Sequence, residues 1–188
     1  MTDIMEETDR WILKLVLLGD HAVGKTSLIS QYIDKTFEED YKPTIGVDII
    51  KKTINLSQIN TDVSLIFWDI AAHDKYEKYR KFYFEGCIGA LLVYDVTRKP
   101  TFERIKYKWL VDFKNHVGKR KTSYILIGNK TDLVDERVVS TENGKDLAKE
   151  IGAADFIETS AKVGENVEIT FLKLVQQVLS QYDIQFEL

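Results

Sequence analysis

Hydrophobic runs and amphipathic stretches alternate along this chain, and polar or glycine-containing segments separate them. Short continuous apolar runs are typical of buried strands, whereas longer stretches with apolar residues three or four apart are typical of helices. The pattern predicts six strands, at 11–18, 47–56, 62–70, 88–94, 124–127 and 155–158. It predicts helices at 25–34, 101–117 and 141–151, a loop entering a short helix between 70 and 81, and a final helix with apolar positions from 167 to 182.

Local signals refine this pattern at three places. Gly152 is a plausible C′ residue for the helix 141–151, and Asn166 is a plausible N-cap for the last helix. Strands 47–56 and 62–70 are joined by the polar turn 57–61, which predicts an antiparallel hairpin. Strands that alternate with helices elsewhere predict an α/β fold of three layers, with a mostly parallel six-stranded sheet, one antiparallel edge strand and helices on both faces.

Composition fits a single globular domain. The chain has 188 residues, of which 44% are hydrophobic and 30% charged, and these values are ordinary for a folded domain. We expect the domain to span 11–182, between an acidic extension at 1–10 and a short tail at 183–188. The net charge of −4 gives no general attraction to nucleic acid.

Cysteine usage and the chain ends bear on location. Cys87 is the only cysteine, so no intrachain disulfide is possible and a reducing, cytoplasmic setting is favoured. No signal peptide or membrane-spanning run is visible. The end lacks a cysteine for prenylation, and Thr2 stands where myristoylation needs glycine. We therefore expect a monomer without a membrane anchor in this chain; a missing C-terminal tail would make it membrane-peripheral.

A candidate phosphate-binding loop follows the first predicted strand. The segment 19–26 matches the pattern G-x-x-x-x-G-K-S/T between a strand and a helix, which is the context that this motif requires. Gly19 and Gly24 let the backbone wrap around an anion, so that N–H groups and the helix N-terminus face phosphates. Lys25 can reach the β- and γ-phosphates, and the Thr26 hydroxyl can bind Mg²⁺. The alternative is a chance glycine loop with a solvated lysine.

A candidate guanine-binding segment follows the fifth predicted strand. It reads Asn129-Lys130-Thr131-Asp132, and Asp132 can accept hydrogen bonds from the two N–H groups on the Watson–Crick edge of guanine. Adenine does not offer that pattern. The same four residues alone would more often form a simple polar turn, but they accompany a phosphate-binding loop in this chain.

With these motifs the chain resembles the Ras superfamily of small GTPases, and it is most similar to the Rab branch. The resemblance extends from Trp11 to Tyr182 and implies the fold of the P-loop NTPases. Besides the two motifs above, it rests on the segments 41–48, 68–74 and 158–162. It implies binding of GTP or GDP with Mg²⁺, and hydrolysis of GTP.

The resemblance also implies roles for individual residues. Mg²⁺ would be held by Thr26 and Thr44 and, through water, by Asp69, while Lys25 and Thr44 would assist the chemistry at the γ-phosphate. Phe37 and Lys130 would pack on the guanine, with the alternatives that Phe37 belongs to the core and Asp69 is an ordinary strand cap. Further nucleotide-contacting positions are Gly19, His21, Ala22, Val23, Gly24, Ser27, Tyr41, Ala72, Asn129, Asp132, Ser160, Ala161 and Lys162.

Effector and regulatory proteins are the partners that the resemblance implies. The Rab branch meets effectors through an aromatic triad beside the switch regions, and the matching positions here are Ile49, Trp68 and Tyr83. Because the first of these is not aromatic, effector preference does not carry over.

The chain departs from the family at the position of the water-orienting glutamine. The family string D-x-x-G-Q reads Asp69-Ile70-Ala71-Ala72-His73 here, so both the glycine and the glutamine are replaced. Since phosphoryl transfer depends on positioning of the attacking water, we expect slow hydrolysis. A bulky His21 beside the γ-phosphate could also crowd an arginine from an activating protein.

Three alternatives accompany this expectation. His73 could replace the glutamine adequately, or the chain could be a hydrolysis-impaired, GTP-bound scaffold that binds effectors. A P-loop kinase is disfavoured because no arginine-rich lid segment is present.

Overall fold

A six-stranded sheet forms the centre of the molecule in the computed structural model, which describes residues 9–38, 44–71 and 77–188. Its strands are β1 (Asp9–Leu18), β2 (Val47–Leu56), β3 (Thr61–Ile70), β4 (Gly89–Asp95), β5 (Ser123–Asn129) and β6 (Asp155–Thr159). They lie in the order β2-β3-β1-β4-β5-β6. Only the pairing of β2 with β3 is antiparallel among these strands, so β2 is the predicted antiparallel edge.

Helices connect the strands. They are α1 (Lys25–Asp34), α2 (Glu77–Phe84), α3 (Lys99–Arg104), α4 (Leu110–Val117), α5 (Thr141–Ile151) and α6 (Val167–Ser180). Short 3₁₀ turns lie at Ser57–Ile59 and Val134–Glu136. The predicted helix 101–117 begins earlier, at Lys99, and it is interrupted by a π turn over Ile105–Trp109 that joins α3 to α4.

The sheet separates two hydrophobic cores because successive strand residues face opposite sides. In β1, Leu13, Leu15 and Leu17 pack on one side with α1 and α6, whereas Val16 and Leu18 pack on the other side with α2 to α5. Aromatic rings fill the first core, where Tyr32 stacks on Phe171 at 4.2 Å between ring centroids. The predicted three-layer α/β arrangement is confirmed.

The two predicted helix caps differ in outcome. Gly152 ends α5 with φ 70°, and its N–H bonds to the carbonyl groups of Ala148 and Lys149, as predicted. Asn166 stands at the N-cap position of α6, but its side chain makes no capping hydrogen bond. Instead its Nδ2 donates to the carbonyl oxygen of Glu158 at 2.9 Å, and its backbone is left-handed with φ 55°.

The last residues of the chain pack on the first core. Phe186 is 9% exposed, its carbonyl accepts a hydrogen bond from Gln176 at 2.7 Å, and the N–H of Glu187 bonds to Gln58 at 3.0 Å. Phe186 therefore packs against the folded domain, while residues 183, 185, 187 and 188 of the same segment are exposed. No helix in the described ranges is long and apolar enough to cross a membrane.

The parallel pairing brings five strand ends to one edge of the sheet. β1, β3, β4, β5 and β6 run in the same direction. Where these strands end lie the phosphate-binding motif, Ala71, the candidate guanine segment 129–132 and a second candidate guanine segment at 158–162, since the resemblance places the N–H of Ala161 against the guanine oxygen. Ligands of open α/β sheets bind at this edge.

Candidate functional site

At two glycines the backbone of the phosphate-binding loop lies very close to groups of β4 and β5. A side chain at Gly19 would place its Cβ 2.1 Å from the carbonyl oxygen of Val93, and one at Gly24 would place it 2.2 Å from Nδ2 of Asn129. Gly24 also has φ 98°, a conformation that other residues rarely adopt. Both positions therefore require glycine, for packing against β4 and β5 as well as for wrapping an anion.

Lys25 is held inside the loop that precedes it. Its Nζ donates to the carbonyl oxygens of Gly19 and Asp20 at 2.9 Å each, and the residue is only 7% exposed. Burial lowers the pKa of Lys25 to about 8, against the opposing effect of the Asp69 and Asp20 carboxylates. A cation in this position has incomplete charge compensation from the protein, which fits the binding of phosphate groups.

Oxygen atoms of Thr26, Thr44 and Asp69 converge beside Lys25. The two threonine hydroxyl oxygens lie 3.1 Å apart, Thr26 donates to Oδ2 of Asp69, and Thr44 lies 3.4 Å from the same oxygen. Oδ1 of Asp69 is buried and has no hydrogen-bond partner within the described ranges. Burial raises the pKa of Asp69, with Lys25 acting in the opposite direction.

This set of atoms fits a magnesium ion. Mg²⁺ prefers oxygen ligands and is usually bound by one or two protein groups together with water and phosphate oxygens. Two hydroxyls and one carboxylate with an unpartnered oxygen offer such ligands at the carboxyl end of β3. The described part of the chain contains no group of three or more His, Cys, Asp or Glu side chains placed to hold a metal.

Asn129 connects the two predicted motifs. Its Nδ2 donates to the carbonyl oxygen of Val23 at 2.9 Å. Its Oδ1 accepts hydrogen bonds from Oγ1 of Thr159 at 3.0 Å and from the N–H of Ala161 at 3.2 Å. Because Asn129 is 1% exposed, these bonds form away from solvent. One amide group thus fixes the phosphate-binding loop against both guanine segments.

Polar partners orient the other residues of the guanine motif. Asp132 accepts a hydrogen bond from Oγ of Ser160 at 2.5 Å. Lys130 has φ 74°, and its Nζ lies 2.7 Å from Oδ2 of Asp95. Asp95 is buried at the end of β4, and hydrogen bonds from Lys130 and Thr97 lower its pKa against the opposing effect of burial. The predicted guanine motif therefore includes an acidic partner, Asp95.

Three side chains near α3 and α4 make further contacts around the phosphate-binding loop that sequence reasoning missed. Arg98 donates from Nη2 to the carbonyl oxygen of His21 at 2.8 Å and from Nε to Asp95 at 3.0 Å. The Asp20 carboxylate accepts hydrogen bonds from Arg104 and Trp109 at 2.9 and 2.8 Å. The contacts with His21 and Asp20 join residues 77 to 89 positions apart, so no local pattern reveals them, whereas Arg98 and Asp95 are only three positions apart. Asp95 had a signal, namely an acidic residue at a carboxyl strand end.

Of the remaining predicted residues, some lie in the part of the chain that the structure describes and three do not. His21 is exposed and Ala22 has φ 56°, while Val23 is buried in the core. Phe37 is 36% exposed in the loop after α1, so the alternative that it belongs to the core is wrong. Ser27 follows Thr26 in α1, Ser160 is buried and Lys162 is exposed. Tyr41, Ala72 and His73 lie outside the described residues.

The three positions of the predicted effector triad lie together. Ile49 of β2 pairs in register with Trp68 of β3, and the Trp68 and Tyr83 rings are 6.0 Å apart. Ile49 is 56% exposed, whereas Nζ of Lys14 covers the Trp68 ring at 3.7 Å. The indole is therefore less accessible than the isoleucine.

Comparison with known proteins gives consistent matches. The model of the Ras family matches residues 14–180. The Ras-related protein RABA4b of Arabidopsis thaliana is 40% identical over 168 residues, which cover 89% of this chain and 73% of that protein. Rab11D of Nicotiana tabacum is 37% identical, with coverages of 90% and 74%. Rab-1 of Theileria annulata is 37% identical, with coverages of 95% and 80%.

Proposed function

We propose that this chain, which belongs to the Ras family, binds GTP and GDP with Mg²⁺ and hydrolyses GTP slowly. Family membership, with Rab-type relatives over most of the chain, makes it a nucleotide-binding GTPase switch.

The observation that carries the proposal is the position of Asn129. Its side chain bonds to Val23 of the phosphate-binding loop and to Ala161 of the second guanine segment. A nucleotide needs its base and its phosphates to be held at a fixed separation, and a buried amide between the two loops fixes that separation. Asp132 accepts a hydrogen bond from Ser160, the residue before Ala161, and its carboxylate can accept hydrogen bonds from the two guanine N–H groups.

The phosphate end of the site has its own assignment. Lys25 and the N–H groups of the loop 19–24 bind the β- and γ-phosphates, and Lys25 exchanges its bonds to the carbonyl oxygens of Gly19 and Asp20 for phosphate oxygens. Thr26, Thr44 and Asp69 hold Mg²⁺, directly or through water. When bound, that ion neutralises charge on the β- and γ-phosphates.

Slow hydrolysis follows from the residue types at 72 and 73. Ala72 restricts a backbone that glycine would leave free, and its N–H has to approach the γ-phosphate. His73 stands where the family has the glutamine that orients water, and an imidazole has a different reach and hydrogen-bonding pattern. The exposed His21 adds bulk beside the same phosphate.

The nucleotide that copurifies with the chain tests binding. Guanine nucleotide released by denaturation and identified by chromatography should be present in equimolar amount, whereas adenine nucleotide or none would contradict the proposal. GDP indicates a working switch. Persistent GTP over hours would favour the alternative, a GTP-bound effector scaffold, which the replaced Gly and Gln at 72 and 73 make the second candidate.

Single-turnover hydrolysis of preloaded GTP tests the rate. We expect the double variant Ala72→Gly, His73→Gln to hydrolyse at least about tenfold faster than the unaltered chain, because water positioning is a main contribution to this chemistry. His116→Gln is the matched control, since His116 lies on α4 and contacts Asp112 and Phe84. Equal rates for the double variant and the unaltered chain would show that His73 replaces glutamine adequately.

A further inference from the structure

A buried carboxylate in the phosphate-binding loop, that of Asp20, accepts hydrogen bonds from residues that follow β4. Asp20 is 5% exposed, Oδ1 accepts a hydrogen bond from Nε1 of Trp109 at 2.8 Å, and Oδ2 accepts one from Nη1 of Arg104 at 2.9 Å. The carbonyl oxygen of Asp20 is in turn one of the two acceptors of Lys25. The side chain of Asp20 therefore connects the start of the loop, whose carbonyl oxygens bind Lys25, to the helical segment between β4 and β5.

The π turn explains how two residues of one helix reach the same carboxylate. In a regular α-helix, residues five apart are separated by about 140° around the axis, so Arg104 and Trp109 would face different directions. Here the N–H of Leu110 bonds to the carbonyl of Ile105, which is the five-residue spacing of a π turn. That spacing brings side chains five apart to one side, and π turns occur frequently at functional sites.

The Trp109 ring is fixed on a second side. It is 1% exposed, and the Arg80 guanidinium of α2 lies 4.9 Å from the ring centroid. Arg80 is itself 1% exposed and is paired with Asp112 at 2.8 Å. Ring packing and the hydrogen bond from Nε1 together restrict the orientation of Trp109, and that hydrogen bond restricts the Asp20 carboxylate.

We infer that Trp109 is a positioning residue for the nucleotide: its Nε1–H holds Asp20, and through Asp20 it holds the phosphate-binding loop in the geometry that retains phosphate. The inference rests on the proposed function, because it concerns retention of a guanine nucleotide in that loop. Loss of the donor leaves a buried carboxylate with Arg104 as its remaining side-chain partner among the described residues. Because an under-paired buried carboxylate is costly, we expect the loop to relax away from this geometry.

Release of a fluorescent GDP analogue from the full chain in the presence of Mg²⁺ tests the inference. Trp109→Phe keeps the aromatic ring and the contact with Arg80 but removes the donor, and we expect release to be about tenfold faster or more, the effect of one hydrogen bond to a charged group. Trp11→Phe is the matched control, because Trp11 packs on Tyr182 in the other core, and its release rate should equal that of the unaltered chain.

A double-variant cycle separates positioning from general packing. If Trp109 acts through Asp20, then Trp109→Phe has no further effect on release in the background of Asp20→Ala, whereas independent packing effects add. Additive effects, or equal release from Trp109→Phe and the unaltered chain, would overturn the inference while leaving nucleotide binding intact. Failure of the unaltered chain to bind the analogue would overturn the proposed function and this inference together.

Discussion

Replacement of Asn129 by alanine removes the group that joins the base and phosphate sides of the site. Three hydrogen bonds are lost, and the partners left behind are the carbonyl of Val23, the N–H of Ala161 and the hydroxyl of Thr159. The hydroxyl can rotate toward another acceptor, but the two backbone groups cannot. At about 1–3 kcal/mol for each unsatisfied buried group, we expect a loss of about 2–6 kcal/mol in the free energy of unfolding.

Urea unfolding at several GDP concentrations measures this loss and a second quantity together. Extrapolation to zero GDP gives the intrinsic stability, and the rise in stability with GDP gives the affinity through RT ln(1 + [L]/Kd). Asn129→Ala should lower both, because the same side chain stabilises the fold and sets the separation of the two loops. A loss of this size is a large part of the total stability of an ordinary domain, about 5–15 kcal/mol.

The matched control is Asn55→Ala on the hairpin β2–β3. Nδ2 of Asn55 also donates a hydrogen bond, to Oδ1 of Asp62 at 2.7 Å, but this bond is exposed. Its loss should cost no more than about 0.5 kcal/mol and leave the GDP dependence unchanged. If Asn129→Ala cost no more than Asn55→Ala, the reasoning that the buried amide organises the site would be refuted.

Two further predictions concern the two cores. Phe171→Ala should lower the free energy of unfolding by about 3–5 kcal/mol, since the ring packs on Tyr32 and Phe67 without exposure; Phe82→Ala, at a ring that is 59% exposed, is the control in the same urea titration and should change it by less than about 0.5 kcal/mol. Burial raises the pKa of Cys87 to about 12, so at pH 8 a thiol-specific disulfide reagent should modify the folded chain at least about a hundredfold more slowly than the urea-unfolded chain. Comparable rates would show that the thiol is accessible.

The fold followed from local signals to a large extent. Each predicted strand appears; β2 has the predicted bounds, and the other strands differ by one or two residues at one or both ends, because apolar runs mark the part of a strand that is buried and not its last hydrogen-bonded residue. The π turn at Ile105–Trp109 could not be predicted, since the apolar spacing of 101–117 fits an uninterrupted helix. The burial of Phe186 was missed because a single aromatic residue in a polar end gives no periodic signal.

Part of the candidate site could likewise be predicted from the sequence, and part could not. Lys25, Thr26, Asn129 and Asp132 were found because their motifs are contiguous and follow strands whose carboxyl ends must meet in a parallel sheet. The contact of Trp109 with Asp20 joins residues 89 positions apart, and no spacing rule connects an indole in a helix with a loop carboxylate. Only the packing of α3 and α4 against β4 brings them together.

The close approach at Gly24 makes the two nucleotide motifs sterically interdependent. The space that a side chain at 24 would need is occupied by Nδ2 of Asn129, 2.2 Å away, and the amide that fills it belongs to the guanine motif. Any larger residue at 24 would therefore displace the Asn129 amide, and with it the hydrogen bonds that Asn129 makes to Val23 and Ala161. A substitution at 24 in the phosphate-binding loop would therefore also alter the guanine segment.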